Sequence, residues 1–222
     1  MAFAGVVWYV PNLIGYARLA LLAYGMASAA TSPARFVCCW LVSCALDFAD
    51  GWLARRLDQC SRFGELLDVV CDNAARSSMW MAACTTRGPG LLPLCAGVAS
   101  LEWLCFTATQ VSAAMRGAGH WKDVRATDPP ALVTAYFANN FVNPVGALGI
   151  AGLFGSPLFL YCAAVWPAAL GGSVAQGAGA LLHVGRALSA CIELFFVGDF
   201  FRMLALLDAR RGAQHEGQTK SS

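Results

Sequence analysis

Apolar residues run through this chain in long blocks, interrupted by short polar clusters rather than by the regular polar stripe of a water-facing helix. A helix needs about 20 predominantly apolar residues to span a hydrocarbon core. Six segments meet that length: residues 11–30, 35–55, 64–85, 91–114, 144–166 and 180–204. The breaks between them carry turn chemistry: Thr31-Ser32-Pro33, the polar run Arg55 to Arg62, Gly88-Pro89-Gly90, a long stretch ending in Asp128-Pro129-Pro130, and Gly171-Gly172-Ser173. The pattern predicts an all-α, polytopic membrane protein with six transmembrane helices, forming one membrane domain across residues 1–222. Gly146, Gly149, Gly152 and Gly155 recur on one face of the fifth segment, a spacing that lets a neighbouring helix approach closely.

Charge orients this scheme. The loops and tail expected on one side hold Arg55, Arg56, Arg62, Arg116, Lys122, Arg125, Arg202, Arg210, Arg211 and Lys220, while the other side holds Arg35 and Arg87. The positive-inside rule then puts both termini in the cytosol. Ala27-Ser28-Ala29 imitates a signal cleavage site, but the first charged side chain, Arg18, lies in the middle of the preceding apolar run rather than before it, so the segment reads as a retained helix.

Composition narrows the class further. Of the 222 residues 58% are hydrophobic and 13% charged, about half the charge of an average soluble domain. No Asp, Glu, Lys or Arg stands between Pro129 and Gly185, a stretch that a soluble fold could not hide from water. A net charge of +2 without a dense basic block argues against a nucleic-acid partner. The 10 cysteines form no Cys-x-x-Cys pair and mostly sit in apolar runs, as small packing residues do.

In a chain that avoids ions, those kept inside helices stand out. Asp47 and Asp50 are three apart on the second segment, and Asp68 and Asp72 four apart on the third, so each pair projects from one helix face. Both pairs lie within roughly 10–15 Å of the turn that joins the two helices, at 1.5 Å of rise per residue. Four uncompensated carboxylates would cost on the order of 10 kcal/mol near the bilayer centre. Two divalent cations, Mg²⁺ or Mn²⁺, neutralise them and retain coordination positions for phosphate oxygens. Gly51 and Ala54 leave room beside such metals, Arg55 offers a fork for phosphate, Ser61 a hydroxyl, and Gly64 a close helix approach. These features describe a membrane-edge site for a diphosphate carrying a flat nucleoside. Arg18, Arg76 and Arg186 are the remaining intramembrane cations; Arg76, one turn after Asp72, is placed to pair with that carboxylate.

The spacing Asp-x2-Asp-Gly-x2-Ala-Arg-x8-Gly-x3-Asp-x3-Asp, filled by Asp47, Asp50, Gly51, Ala54, Arg55, Gly64, Asp68 and Asp72, resembles the signature of the CDP-alcohol phosphatidyltransferase family. Within that family the opening run Val10 to Arg18, the Ser61-Arg62-Phe63-Gly64 turn and the run Arg202 to Ala209 are similar to those of the eukaryotic phosphatidylinositol synthases. The resemblance implies a six-helix, homodimeric fold with a two-metal site open to the cytosol. Asp47, Asp50, Asp68 and Asp72 would hold the metals, Asp72 would also be the catalytic base, and Gly51, Ala54, Arg55, Ser61 and Gly64 would hold CDP-diacylglycerol. The phosphatidyl group would pass to a small polyol, myo-inositol in first place, in the endoplasmic reticulum or the Golgi. Asn12, Arg18, His120, Lys122 and Asn140 are candidate substrate contacts. The chain departs from the synthase pattern at Asn73, Phe106, Gly119 and Asn140, outside the metal motif. Glycerol phosphate, serine or another polyol is therefore the alternative acceptor, and a catalytically silent membrane scaffold the alternative from another class.

Overall fold

The structure is a computed structural model that describes residues 2–116 and 129–219, with side chains over residues 5–116 and 129–210. Every regular element among the described residues is helical: α1 (Ala2–Val7), α2 (Val10–Met26), α3 (Pro33–Arg56), α4 (Arg62–Arg87), α5 (Leu92–Arg116), α6 (Ala131–Phe137), α7 (Pro144–Val165), α8 (Pro167–Leu170) and α9 (Ser173–Thr219). Helices α2, α3, α4, α5, α7 and α9 occupy the six apolar segments. Three stretches, Pro33–Arg56, Pro89–Arg116 and Pro144–Val165, are long and apolar enough to cross a membrane, as expected of an integral membrane protein. α2 has 17 residues, and the charged motif lowers the hydropathy of α4.

The breaks fall where the turn residues lie. Proline stands in the first turn of α2, α3 and α7, where its missing N–H removes no helical bond. The Ser61 hydroxyl accepts the Gly64 N–H at 3.0 Å and caps α4, and Asn143 accepts the Gly146 N–H at 2.8 Å and caps α7. α4 stops at Gly88, whose φ of +97° is open to glycine. Two features escaped the pattern: the short α6 with the 3₁₀ turn Ala138–Phe141 after it, and the length of α9, which runs 47 residues.

α2 packs against α3 and α4, α7 against α4 and α9, and α5 against α4 and α9, so α4 touches both halves of the bundle. One core joins Leu22, Phe36, Trp40, Met79 and Tyr161 from α2, α3, α4 and α7. Polar atoms inside it are paired: the Trp40 indole donates to the Ala75 carbonyl at 2.8 Å, and the Tyr161 hydroxyl to the Ala29 carbonyl at 2.6 Å. A second cluster gathers Val133, Tyr136 and Ile192 with Phe137, Phe141 and Phe196.

The glycine row on α7 serves two neighbours. A Cβ on Gly152 would collide with the backbone of Gly185 and Arg186 on α9, and one on Gly149 with the Tyr136 ring from α6. The two backbones therefore meet at Gly152, and α6 is seated at Gly149.

Overpacking of this kind costs typically 1–3 kcal/mol. Gly152→Val is expected to lower the detergent-solubilised melting temperature by several degrees, whereas Gly97→Val, which meets no atom within 4 Å, leaves it unchanged. Thermal unfolding followed by size-exclusion chromatography compares the two.

Candidate functional site

The site forms where α2 begins, α3 ends and α4 begins. Gln59, in the α3–α4 turn, accepts the otherwise orphaned Val10 N–H at 2.9 Å and ties that turn to the start of α2. Gly15 allows α2 to close on α4: an added Cβ would stand 2.8 Å from the Leu67 side chain. Ser43 on α3 donates to the Arg18 carbonyl at 3.3 Å. These contacts bring Arg18, 1% exposed, inside the carboxylate motif.

All four carboxylates converge on that one guanidinium. Its Nη1 lies 2.8 Å from Asp47 Oδ1, 3.0 Å from Asp50 Oδ2 and 2.9 Å from Asp68 Oδ1, and its Nη2 lies 2.7 Å from Asp72 Oδ1. An Nη carries two hydrogens, yet Nη1 is ringed by three carboxylate oxygens. Asp47 Oδ1 accordingly remains a buried acceptor without a hydrogen bond. Three anionic oxygens around one point, one of them unsatisfied, suit a cation that accepts several oxygen ligands better than a donor with two protons. Asp47, Asp50 and Asp68 offer ligand atoms within 4.8 Å of one another and are the residues that would hold a metal; Asp72 sits beside them on Nη2. The donor set is oxygen only, which fits Mg²⁺ or Mn²⁺.

Two cavities open on either side of this cluster, and Glu65 and Asp68 line both. The smaller, about 220 Å³, is lined by Asn12, Asp50, Gly51, Ala54, Arg55, Ser61 and Gly64 among others. It brings together Gly51, Ala54, Arg55, Ser61, Gly64 and Asn12 from the expected set, whereas Arg18 is taken up by the carboxylates and lines neither cavity. A Cβ on Gly51 would meet only the Arg55 guanidinium, at 3.6 Å, an ordinary contact, so packing within the protein does not require glycine there and its missing side chain keeps the cavity open. Gly64 differs: a Cβ would stand 2.9 Å from Asn12 Oδ1. Asn12 is buried and donates to the Val6 carbonyl at 2.6 Å. The Ser61 hydroxyl accepts from Gly64 N–H and retains its own proton for a ligand oxygen.

The larger cavity, about 320 Å³, extends from Asp68 and Asp72 past Asn73, Arg76 and Glu102 to Tyr136, Ser189 and Glu193. Here one sequence expectation is corrected. Arg76 hydrogen-bonds not to Asp72 but, from Nε, to Glu102 at 2.9 Å and, from Nη2, to the Asn73 side chain. The reason is burial: Glu102 has no exposed side-chain surface and requires a cation from α4. Arg186 on α9 adds contacts to Glu102 at 3.2 Å and Glu193 at 2.9 Å. This four-residue network lay outside the expected site; its signal in the sequence was Glu102, an acid within the apolar α5.

Asn140 is exposed on the turn before α7, in left-handed backbone with φ +53°, and does not line either cavity. Asparagine tolerates that conformation, which accounts for the residue type without a ligand. His120 and Lys122 lie outside the described residues.

With this geometry in place, comparison with known proteins gives the class. The chain belongs to the CDP-alcohol phosphatidyltransferase family, which matches residues 8–166 and generally uses a divalent metal. Among curated relatives it is similar to the CDP-diacylglycerol--inositol 3-phosphatidyltransferase of Schizosaccharomyces pombe, 30% identical over 72% of this chain and 60% of that one. It is also similar to the Saccharomyces cerevisiae protein of the same name, 35% identical over 36% of each chain, and to CDP-diacylglycerol--inositol 3-phosphatidyltransferase 1 of Arabidopsis thaliana, 31% identical over 54% of this chain and 52% of that one. The matches thus span about a third to three fifths of these relatives' lengths. No solved structure matches the chain.

A ligand at a hundredfold excess over its Kd stabilises a fold by about 2.7 kcal/mol. Saturating Mn²⁺ is expected to raise the melting temperature of the apo protein, and Asp50→Ala is expected to weaken that response by more than the roughly 10–100-fold cost of losing an outer-sphere partner. Thermal shift against a Mn²⁺ series measures both.

Proposed function

We propose that this protein transfers the phosphatidyl group from CDP-diacylglycerol to myo-inositol, yielding phosphatidylinositol and CMP. The observation that carries this reading is the carboxylate cluster between two cavities, one with the small residues and phosphate-binding groups that a nucleoside diphosphate requires, the other with polar groups suited to hydroxyls. The names of the similar proteins supply the acceptor.

Arg55 and Ser61 direct donors toward the diphosphate, and Gly51 and Ala54 leave the groove in which cytidine lies flat. Asp47, Asp50, Asp68 and Asp72 would hold two divalent cations, and these would supply positive charge to the diphosphate and to the leaving CMP. Asp72, facing the larger cavity, accepts the proton of the acceptor hydroxyl as that oxygen attacks the phosphorus bonded to diacylglycerol and the bond from this phosphorus to the CMP oxygen breaks. Its carboxylate is held in place by Arg18 Nη2, which would position it for that transfer.

The rest of the reading follows from the same site. A lipid donor remains in the leaflet while a soluble acceptor arrives from water, which suits a site one to three turns from the helix ends. Six spans, cytosolic termini, a single membrane domain across 1–222, a homodimer and residence in the endoplasmic reticulum or Golgi complete the proposal.

Purified protein supplied with CDP-diacylglycerol and Mg²⁺ or Mn²⁺ is expected to release CMP with myo-inositol and not with serine or glycerol phosphate. Asp72→Asn is expected to lower that release by on the order of 10²–10⁴-fold, the range for a general base, while CDP-diacylglycerol still binds. Release with another acceptor moves the reading to that acceptor, and full activity of Asp72→Asn removes the base assignment.

A further inference from the structure

The larger cavity has a charge arrangement that its lining alone does not explain. Two arginines stand at its polar end, Arg76 in the lining and Arg186 behind it, and a cavity with two guanidinium groups would ordinarily recruit an anion. Both are already neutralised. Glu102, without exposed side-chain surface, lies between them, 2.9 Å from Arg76 Nε and 3.2 Å from Arg186 Nη2. Glu193, in the lining, lies 2.9 Å from the same Arg186 Nη2. Among the described residues, the network therefore contains two cations and two anions, drawn from three helices, and sums to zero.

Arg186 Nε and Nη1 remain buried without a hydrogen-bond partner behind the lining, and what the lining itself offers a ligand is neutral hydrogen bonding beside carboxylates. The Asn73 oxygen is taken by Arg76, while its amide nitrogen is buried without a partner in the lining. Ser189 donates to the Gly149 carbonyl at 3.1 Å, so the Tyr136 hydroxyl, 2.9 Å away, donates to Ser189 and presents its lone pairs. The carboxylates of Glu193 and Asp72 accept. Donors and acceptors thus alternate around a cavity of about 320 Å³, near the lower end of the roughly 300–1,000 Å³ typical of small-molecule sites. Phe106, Phe137 and Ile192 supply apolar wall for ring C–H faces. A phosphate brought to this end would face the carboxylates of Glu193, Glu102 and Asp72, against which Arg76 and Arg186 leave no surplus positive charge, and an uncompensated anion in such a setting is strongly disfavoured.

We propose that Glu102 and Glu193, by neutralising Arg76 and Arg186, set the acceptor cavity to take an uncharged polyol and to reject a phosphorylated one. They are specificity-determining residues, and the proposal rests on the reading of this cavity as the acceptor side. It differs from a packing role in one respect. Loss of a merely structural ion pair weakens every acceptor alike, whereas loss of a neutralising carboxylate frees a guanidinium and changes the ratio between neutral and anionic ligands.

The test measures binding of myo-inositol and of glycerol 3-phosphate, each by thermal shift in the presence of Mg²⁺, and CMP release with each, for the wild type, Glu102→Gln and Glu193→Gln. The wild type is expected to bind inositol in preference to glycerol 3-phosphate. Each variant is expected to move that ratio toward the phosphorylated ligand by about tenfold or more, the size of one charge-assisted hydrogen bond, and Glu193→Asp to restore it. Should Glu102→Gln fail to fold, Glu193→Gln, at the less buried end of the network, decides alone. An unchanged ratio in a folded variant overturns the proposal, as does a wild type that binds glycerol 3-phosphate as well as inositol, or neither. A ratio that switches in binding while CMP release is absent throughout supports the inference and removes the reading of the protein as an active transferase.

Discussion

Gathering four carboxylates at one point of an apolar helix bundle is the constraint on which the rest of this structure turns. Arg18 meets it in part. Its guanidinium, held between α3 and α4, reaches Asp47, Asp50, Asp68 and Asp72 at 2.7–3.0 Å. One positive charge against four negative ones leaves the cluster anionic, and the unsatisfied Asp47 oxygen marks where the deficit lies. The same imbalance that would destabilise an inert bundle is what a divalent cation would relieve, because a cation gains most where anionic oxygens are already assembled. Holding them together takes close helix approach, and Gly15, the Ser43 hydrogen bond to the Arg18 carbonyl and the Trp40 hydrogen bond to Ala75 provide it.

The cluster also divides the interior. The smaller cavity lies among α2, α3 and α4, and the larger among α4, α5, α6, α7 and α9. Among the described residues only α4 borders both, with Glu65 and Asp68 in the two linings. The proposed transfer would benefit from this division: donor and acceptor would enter separate compartments and meet at one wall, where the carboxylates stand. α4 is accordingly the helix that contacts both halves of the bundle, and its capping at Ser61 sets the register of Asp68 and Asp72 along it.

Much of the donor side was legible in the chain because it is local. Two helices joined by a short turn bring acids at i and i+3 on one, and at i and i+4 on the other, to the same end whatever the rest of the fold does. Gly51, Ala54, Arg55 and Ser61 lie within that hairpin, so their place in one cavity follows from the same geometry. The acceptor side was less legible because it is assembled from distant segments. Arg76 sits one turn from Asp72, and helix periodicity alone favours that pair; the structure instead gives it to Glu102, 26 residues away on α5. Likewise, Gly149 signalled a close approach, but that a tyrosine from the short α6 makes it is a fact about the path of the chain between α5 and α7.

By itself the sequence determined the class of molecule, the six helical blocks, their turns and the carboxylate motif, since hydrophobic length, turn residues and helical spacing act over a few residues and need no partner. Tertiary structure alone decided which charges on separate helices neutralise one another: that Arg18 joins the four aspartates, and that Arg76 and Arg186 share Glu102. Ion pairing in a medium poor in water is settled by which side chains lie within about 3 Å, and that distance is fixed by helix packing, to which residue spacing along separate helices is blind.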